Sequence, residues 1–209
     1  MNEHPLVAAA REVGVTDVRV LDAIRAVPRS EFVPPELVRS AEVDRPLPIP
    51  HEQVTTQPSL VARMVEALAL EGSERVLEIG TGYGWQSALL GRLAMGVWSV
   101  ERWNDLAETA RTHLTQHGTT NVEVVVGDGS EGLPEHAPYD AILVAAAFPE
   151  VPPPLVEQLA EEGRLVQPIG HGGNEDVMLF TKRDGALVPV RHVIGAHFVP
   201  LVGRYGFAW

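Results

Sequence analysis

A glycine-rich turn in the sequence has the composition of a ligand-binding loop. In the segment VLEIGTGYGWQ, Gly80, Gly82 and Gly84 follow a short apolar run and precede a helical pattern. Glycines in this place let the backbone turn tightly and let a ligand approach it closely. Thr81 lies inside the turn, and Glu78 stands just before its first glycine. The segment therefore predicts a small-molecule site at the end of a strand.

The spacing of these glycines indicates which ligand the turn would hold. Turns that bind dinucleotides read G-x-G-x-x-G and leave a helix N-terminus free for the pyrophosphate. This chain reads G-x-G-x-G, and the carboxylate of Glu78 would repel a pyrophosphate. The same carboxylate would suit a ligand that carries an ammonium and a sulfonium. The turn therefore favours a nucleoside without phosphates, as in S-adenosylmethionine, over a dinucleotide.

Two further acidic residues follow the turn, each at the end of a strand pattern. Glu101 closes GVWSVE, roughly twenty residues after the first glycine, where a carboxylate can accept hydrogen bonds from ribose hydroxyls. Asp128 in VVVGDGS could accept from an adenine amino group, and Gly129 would leave room for the ring. Taken singly, each residue is also explained as a turn or a cap. Their order and spacing together favour nucleoside binding, with dinucleotide binding as the alternative.

A parallel α/β sheet is expected to position these residues. Between residues 58 and 170, amphipathic helical patterns alternate with short apolar runs, which is typical of buried parallel strands. Ligands of such sheets lie at the carboxyl ends of the strands, where the turn and both acids fall. Helical periodicity is also present at about residues 5–13 and 17–27, with Asp17 as a cap of the second helix. Residues 28–58 are rich in proline and are expected to be irregular.

The C-terminal segments have no helical pattern. DVMLFTKRDG, LVPVRHVIG and HFVPLVG follow one another with turn residues between them, and they predict antiparallel strands added to the sheet edge. The predicted fold class is α/β, a Rossmann-like and mostly parallel sheet with N-terminal helices and antiparallel C-terminal strands. We expect one domain over residues 1–209. Its parts are a helical and irregular portion 1–57, a nucleoside-binding core 58–170 and a β-rich portion 171–209.

Composition and charge narrow the class of protein. The chain has 28 acidic and 16 basic residues, a net charge of −12 and no run of Lys and Arg, which argues against a general nucleic-acid binder. The absence of cysteine excludes disulfides, thiol nucleophiles and cysteine-ligated metals. The N-terminus lacks the apolar core of a signal peptide, and no apolar run is long enough to span a bilayer. We therefore expect a cytoplasmic protein with no nucleic-acid or membrane partner.

The histidines do not form a recognisable metal motif. His113 and His117 stand one helical turn apart in HLTQH, a spacing that can place two ligands on one helix face. The segment lacks the glutamate of H-E-x-x-H, and no third ligand is evident. Surface histidines are the favoured interpretation, and we predict no metal.

Long segments of the chain resemble the protein-L-isoaspartate O-methyltransferases. The resemblance runs from about residue 20 to 203 and includes VLDAIRAVPRSEFVP, DRPLPIPHEQVTTQPSLVARM, VLEIGTGYGWQSALL, GDGSEGLPEHAPYDAILVAAA and FVPLVG. It implies transfer of a methyl group from S-adenosylmethionine to the α-carboxylate of an L-isoaspartyl residue in a damaged protein or peptide, with S-adenosylhomocysteine as product. The ester then collapses to a succinimide, whose hydrolysis returns part of the material to normal aspartate. The resemblance also implies a cytoplasmic monomer.

The resemblance assigns two sets of residues to the site. The cofactor set consists of the glycine turn and its acid, a ribose-binding pair, an adenine contact and a segment over the cofactor: Glu78, Gly80, Thr81, Gly82, Gly84, Glu101, Arg102, Asp128, Gly129, Gln53, Val54 and Thr55. The substrate set consists of two threonines and a C-terminal segment that helps to close over the substrate: Thr55, Thr56, Val199, Pro200, Leu201 and Val202. Thr56 is the expected catalytic residue, because its hydroxyl could donate to one carboxylate oxygen and orient the other towards the methyl group.

The threonine pair departs from the family pattern. The segment before the Gln-Pro pair usually reads Gln-Thr-Ile-Ser in the family, whereas this chain reads Gln53-Val54-Thr55-Thr56. Without the resemblance, the threonines would be interpreted as strand residues or as a cap of the helix after Pro58. The departure keeps open an alternative substrate, an aspartate side chain in a dedicated precursor peptide that is methylated to form an aspartimide. A nucleoside-binding module without turnover and a nicotinamide oxidoreductase are further alternatives.

Overall fold

The apolar runs of the sequence form the strands of a central sheet. The computed structural model describes residues 3–171 and 173–208. The strands in these residues are, in chain order, β1 Leu47–Ile49, β2 Gln53–Thr55, β3 Arg75–Ile79, β4 Gly96–Glu101, β5 Val122–Val126, β6 Tyr139–Val144, β7 Leu159–Ile169, β8 Glu175–Arg183 and β9 Ala186–Ala196.

Seven of these strands pair in the order β5-β4-β3-β6-β7-β8-β9. The pairs from β5 to β7 are parallel, and the pairs β7-β8 and β8-β9 are antiparallel. Strand β3 pairs with β4 on one side and with β6 on the other. The direction in which successive strands are added to the sheet therefore reverses between β3 and β6. A ligand of an open α/β sheet binds at such a switch point, outside the carboxyl ends of the strands. The predicted fold class, mostly parallel with antiparallel C-terminal strands, is confirmed.

Helices cover both faces of this sheet. In the described residues they are α1 Pro5–Glu12, α2 Val18–Ala26, α3 Pro58–Ala67, α4 Trp85–Leu93, α5 Asn104–His117 and α6 Pro153–Gln158. The two N-terminal helices are where the periodicity predicts them, and Asp17 caps α2 by accepting a hydrogen bond from Arg19 N at 2.8 Å. No helix in residues 3–171 and 173–208 is both long and apolar enough to cross a membrane.

Alternate residues of the strands pack into two separate apolar clusters. Val76 and Leu143 belong to the larger cluster, which includes residues of α1 to α5, whereas their chain neighbours Leu77 and Ile142 belong to a smaller cluster with Leu155 of α6. Successive side chains of a strand point to opposite faces of a sheet. Both faces of the central strands β3 and β6 are therefore buried.

The proline-rich segment 28–57 is more ordered than the sequence predicts. It contains short 3₁₀ turns at Arg29–Phe32 and Pro35–Ser40, followed by an antiparallel hairpin of β1 and β2. We refer to residues 47–55 as the hairpin. The prediction of a wholly irregular segment is wrong for these parts, because hydrogen bonds between residues that are distant in the sequence order them.

The segment HFVPLVG does not form the predicted third antiparallel strand. It makes only isolated bridges, from Pro200 to Ala147 and from Val202 to Phe207. Pro200 has no N–H with which to continue a ladder. Ala147 N donates to Val199 O at 2.8 Å, and Leu201 N donates to Ala147 O at 2.7 Å. These bonds hold the C-terminal segment, which we define as residues 199–207, beside the chain that follows β6 rather than at the sheet edge.

Candidate active site

A cleft of about 920 Å³, its open mouth included, lies at the carboxyl ends of β3 and β4, next to the turns that follow β5 and β6. It brings together fifteen of the seventeen residues predicted for the site: Gln53, Val54, Thr55, Thr56, Gly80, Thr81, Gly82, Gly84, Glu101, Arg102, Gly129, Val199, Pro200, Leu201 and Val202. The other two, Glu78 and Asp128, do not line it.

The glycine turn has the backbone conformation that its composition predicts. Gly80, Gly82 and Gly84 have φ values of 94°, 56° and 93°, in the left-handed region that side chains with a Cβ rarely adopt. Gly80 N donates to Val100 O at 2.9 Å, which ties the start of the turn to β4. Helix α4 begins directly after Gly84. The turn thus presents its backbone to the cavity at the point where β3 ends.

Glu101 is a buried carboxylate at the cavity wall. It is 5% exposed and accepts hydrogen bonds from Gly82 N at 2.9 Å and from Trp103 N at 3.1 Å. Burial raises the pKa of this carboxyl above its ordinary value, against the backbone N–H donors that lower it. Each oxygen receives one of these bonds and retains a second lone pair for a ligand. Glu101 therefore shapes the turn and keeps free acceptor lone pairs at the cavity wall.

Glu78 lies behind the glycine turn, away from the cavity. Its carboxylate accepts hydrogen bonds from Gln86 Nε2 at 2.8 Å, from Ser99 Oγ at 2.5 Å and from Ser87 Oγ. Its side chain is fully buried, and burial raises its pKa to about 7. The carboxylate is therefore taken up by the start of α4 and by β4. Glu78 therefore links α4 to β4 next to the turn and does not line the cavity.

The buried Glu78 carboxyl should make stability depend on pH. The folded pKa of about 7 exceeds the ordinary value of 4.5, so the stability that this group contributes is complete below pH 4.5 and is lost as the pH rises through 7. Glutamine stays neutral, so Glu78→Gln should gain roughly 2–3 kcal/mol of unfolding free energy relative to wild type between pH 5 and pH 8. Urea denaturation at several pH values measures this difference, with Glu108→Gln as the exposed control. Parallel pH curves for wild type and Glu78→Gln would contradict the burial effect.

Gln86 provides a test of whether the cavity suits S-adenosylmethionine. Its side chain is 7% exposed and lines the cavity, and its Nε2 is used by Glu78. Its Oε1 is buried and has no hydrogen-bond partner within the residues that the structure describes. A buried acceptor of this kind is costly unless a donor satisfies it. The amino group of an amino-acid ligand is such a donor, so the residues present fit this cofactor.

Asp128 uses its carboxylate to hold the C-terminal segment. Oδ1 accepts from Ser130 N at 2.9 Å and from Ser130 Oγ at 2.7 Å, and Oδ2 accepts from Arg204 N at 2.7 Å. Tyr205 N donates to Ser130 Oγ at 3.0 Å. Gly129, in contrast, lines the cavity as expected for a position beside an adenine. The sequence could not show that Asp128 and Ser130 bind the C-terminal segment, because the donors Arg204 N and Tyr205 N lie more than seventy positions away.

Gly203 permits the close approach of these two segments. A Cβ at this position would overlap the carboxylate of Asp128 and the hydroxyl of Ser130. Gly203→Ala should therefore displace the C-terminal segment, and overpacking of this kind costs about 1–3 kcal/mol. We expect the KM for a peptide substrate to rise by roughly tenfold. The variant should still unfold in a cooperative thermal transition, which would show that it is folded. The matched control is Gly195→Ala, where a Cβ meets no atom within 4 Å. An unchanged KM in Gly203→Ala would remove the C-terminal segment from substrate binding.

The hairpin and the adjoining Thr56 form one wall of the cavity. Thr55 and Thr56 are both half-buried and both line the cavity. Thr56 Oγ1 makes no hydrogen bond within the described parts of the chain, so its hydroxyl is available to a ligand. Val54 also lines the cavity while 41% of it stays exposed, which places it at the mouth.

The tip of the hairpin is held against the start of α5. His51 and Glu52 have φ values of 62° and 57°, which non-glycine residues rarely adopt. The ring of His51 stacks on Trp103 with centroids 3.9 Å apart, and its Nε2 lies 2.9 Å from each carboxylate oxygen of Asp105. Trp103 N is itself a donor to Glu101. The hairpin and the expected ribose-binding residues are therefore joined by direct contacts.

The sequence patterns do not identify several other residues that line the cavity. Tyr83, Trp85 and Gln86 do so from within or directly after the glycine turn, and their position in the sequence was a usable signal. Phe32 and Ile49 come from the proline-rich segment, where no local pattern indicates that they approach the turn.

The two histidines of HLTQH have protein partners. His113 Nδ1 lies 3.1 Å from Tyr83 O, and His117 Nδ1 lies 2.7 Å from a carboxylate oxygen of Glu31. Both rings also contact the edge or face of Phe32. In the described residues, no group of three or more His, Asp or Glu side chains could hold a metal ion.

Known proteins resemble this chain along nearly its full length. A sequence model of the family described as protein-L-isoaspartate(D-aspartate) O-methyltransferase (PCMT) matches residues 1–206. A protein-L-isoaspartate O-methyltransferase of Methanoculleus marisnigri is 50% identical over 197 residues, which are 94% of this chain and 89% of that protein. One of Anaeromyxobacter dehalogenans is 52% identical over 198 residues, covering 91% and 95% of the two chains.

Solved structures agree with this likeness. A protein-L-isoaspartate O-methyltransferase of 32% sequence identity superposes with a TM-score of 0.84 over 98% of this chain and 67% of that chain. A Plasmodium falciparum protein solved in complex with S-adenosyl-L-homocysteine has a TM-score of 0.80 over 97% and 99% of the two chains, and its 23% identity supports the fold. With a fold, a cavity and relatives that agree, this chain belongs to the protein-L-isoaspartate O-methyltransferase family.

Proposed function

We propose that this chain transfers a methyl group from S-adenosylmethionine to the α-carboxylate of L-isoaspartyl residues in damaged proteins and peptides. As a member of its family, it is an S-adenosylmethionine-dependent carboxyl O-methyltransferase. The observation that carries the proposal is one cavity that combines the glycine turn and buried Glu101 with Thr56 and the C-terminal segment. The ester formed there leads through a succinimide to repair of the residue.

The cofactor side of the cavity is formed by residues that can accept or approach a nucleoside. When bound, S-adenosylmethionine supplies a methyl group on a sulfonium, which is already an activated donor. Glu101, with Arg102 beside it, accepts from the ribose hydroxyls, and Gln86 Oε1 accepts from the amino group. Gly129 leaves room for the adenine. The glycine turn lets the backbone approach the ligand, and Glu78 keeps the turn in place.

The substrate side has mainly to hold a carboxylate in the correct direction. A carboxylate is already a nucleophile at neutral pH, so the reaction needs little acid–base help. Thr56 donates its hydroxyl hydrogen to one carboxylate oxygen and thereby directs the other towards the methyl group. The C-terminal segment covers the substrate and excludes water. Proximity and orientation of this kind can lower a barrier by about 7–11 kcal/mol.

The proposal extends to how the chain works as a whole. We infer one methyltransferase domain over residues 1–209 that acts as a monomer in the cytoplasm. Its partners are proteins and peptides with isoaspartyl residues, without nucleic acid, membrane or metal. Equilibrium sedimentation tests the monomer, and a single cooperative unfolding transition tests the single domain.

The alternative substrate, an aspartate side chain in a dedicated precursor peptide, is not favoured. The curated relatives described above carry the name protein-L-isoaspartate O-methyltransferase. A binding module without turnover and a nicotinamide oxidoreductase have no support from these relatives either.

Twin peptides that differ only in one residue test the proposed reaction. One peptide carries L-isoaspartate, the other carries normal L-aspartate at the same position, and both are incubated with the enzyme and methyl-labelled S-adenosylmethionine. We expect base-labile methyl ester on the isoaspartyl peptide and none above background on its twin. Methylation of the aspartyl peptide alone would support the precursor-peptide alternative. Binding of S-adenosylhomocysteine without methylation of either peptide would support the binding module.

A further inference from the structure

A buried arginine lies directly behind the hairpin wall of the cavity. Arg29, in the first 3₁₀ turn, is 1% exposed. Its Nη1 donates to Ala41 O at 3.3 Å and to Val43 O at 3.2 Å, and its Nη2 donates to Arg45 O at 3.0 Å. These carbonyl groups belong to the loop that leads into the hairpin. The guanidinium therefore holds together a segment that has little regular structure of its own.

The same guanidinium reaches the two threonines of the site. Nη2 donates to Thr55 Oγ1 at 2.7 Å, the shortest of the hydrogen bonds that Arg29 makes in the described residues, and it approaches Thr56 O at 3.4 Å. Burial lowers the pKa of Arg29 to about 10, while the negative charges of Asp44 and Glu42 oppose this decrease. Arg29 is therefore still a cation at neutral pH, and its charge lies beside the hydroxyl of Thr55.

This hydrogen bond decides what the hydroxyl of Thr55 can do. Because Oγ1 accepts from Arg29, the hydroxyl hydrogen must point elsewhere, and no acceptor for it is present within residues 3–171 and 173–208. Thr55 lines the cavity, so a ligand can provide that acceptor. A hydroxyl that accepts from a cation is polarised by it and becomes a stronger donor in turn. Its natural partner is an anionic oxygen.

We propose that Arg29 is a positioning residue that acts through Thr55, so that the Thr55 hydroxyl is a second donor to the substrate carboxylate beside Thr56. This inference rests on the proposed function and names a specificity-determining residue within it. The family pattern Gln-Thr-Ile-Ser has isoleucine where this chain has Thr55, so the donor belongs to this chain's version of the wall. The pair Arg29 and Thr55 selects for a substrate that presents a carboxylate at this point.

A double-mutant cycle with Arg29→Lys and Thr55→Val tests the coupling. Valine keeps the shape of threonine and removes the hydroxyl, and lysine keeps the charge but not the forked set of donors. Each single variant should raise the KM for the isoaspartyl peptide by about tenfold with kcat within about threefold, since the bond acts in binding the carboxylate. The KM of the double variant should also rise only about tenfold, because the second change removes an interaction that is already gone. Thr55→Ser should restore most of the affinity.

Matched controls separate this role from a general loss of structure. Thr115→Val and Arg25→Lys make the same chemical changes on exposed helical positions. The affinity for S-adenosylhomocysteine, measured by calorimetry, should change by less than about threefold in Arg29→Lys, Thr115→Val and Arg25→Lys. If Arg29→Lys does not fold, Thr55→Val, which removes no buried charge, carries the test alone.

Specific outcomes would overturn the inference. An unchanged KM in Thr55→Val would do so. A KM that rises roughly a hundredfold in the double variant would also do so, because that is what independent effects predict. A parallel loss of S-adenosylhomocysteine affinity would assign Arg29 a purely structural role. Failure of the proposed function itself is recognised separately, because wild-type enzyme would then fail to methylate the isoaspartyl peptide while these ratios could not be measured.

Discussion

Replacing Glu101 with alanine should weaken the binding of S-adenosylhomocysteine by roughly a hundredfold. The buried carboxylate accepts from Gly82 N and Trp103 N, and we propose that its remaining lone pairs accept from the ribose. A hydrogen bond to a charged group is worth about 1.5–3 kcal/mol, and the variant also leaves a backbone donor of the glycine turn without its acceptor. The turn and the ribose contact should therefore fail together.

Isothermal titration calorimetry measures this loss directly. Glu101→Gln keeps one acceptor oxygen, so its affinity for S-adenosylhomocysteine should lie between those of wild type and Glu101→Ala. Glu108→Ala is the matched control, since it removes an exposed carboxylate from the outer face of α5. An affinity of Glu101→Ala within about twofold of wild type would show that the ribose lies elsewhere.

Replacing Thr56 with alanine should reduce kcat/KM for an isoaspartyl peptide by roughly 10- to 100-fold. Its hydroxyl has no partner within the described residues, and Thr56 lines the cavity, where the hydroxyl is proposed to orient the carboxylate. Thr56 itself is not among the residues expected to contact the cofactor, so the affinity for S-adenosylhomocysteine should stay within about twofold of wild type.

Two companion variants sharpen this result. Thr56→Ser keeps the hydroxyl and should retain most of the activity, whereas Thr115→Ala removes a hydroxyl from an exposed helical position and should have no effect. Steady-state kinetics with the isoaspartyl peptide distinguishes them. Full activity in Thr56→Ala would remove this hydroxyl from the mechanism. Because the Arg29 and Thr55 pair is expected to act on KM, a decrease mainly in kcat would also separate the roles of the two threonines.

The parts of the site that are built from local sequence could be predicted. The positions of Gly80, Gly82 and Gly84 after β3, and of Glu101 at the end of β4, follow from strand patterns and spacing. Strand ends in a parallel sheet lie at one edge, so residues that are far apart in the chain can be placed together without a structure. For the same reason the α/β fold class and its mostly parallel order were accessible from periodicity.

The partners of individual side chains could not be predicted in this way. Glu78 and Asp128 stand at positions expected beside a ligand, yet Glu78 is taken up by α4 and Asp128 by Arg204 N in the C-terminal segment. Burial then changes the chemistry of such groups, as the raised pKa of Glu78 illustrates. Neither composition nor spacing shows which donor will bind a given carboxylate in the folded chain.

The proline-rich segment and the C-terminal segment show the same limit. Arg29 stands between Pro28 and Ser30, and nothing in this local sequence indicates a buried arginine, because its acceptors are carbonyl groups of an irregular loop. HFVPLVG has the apolar content of a strand, but Pro200 interrupts its ladder and Gly203 lets it turn against Asp128. Hydrogen bonds to backbone groups distant in the sequence, rather than local side-chain propensity, decided both cases.

Conversion of an isoaspartyl peptide into its normal aspartyl form is the most direct test of the central claim. The purified protein is incubated with the peptide and S-adenosylmethionine, and the two isomers are separated by chromatography as time proceeds. The account predicts loss of the isoaspartyl form, transient succinimide and accumulation of the aspartyl form, all dependent on S-adenosylmethionine. A peptide whose isomer ratio stays the same with and without S-adenosylmethionine would contradict it.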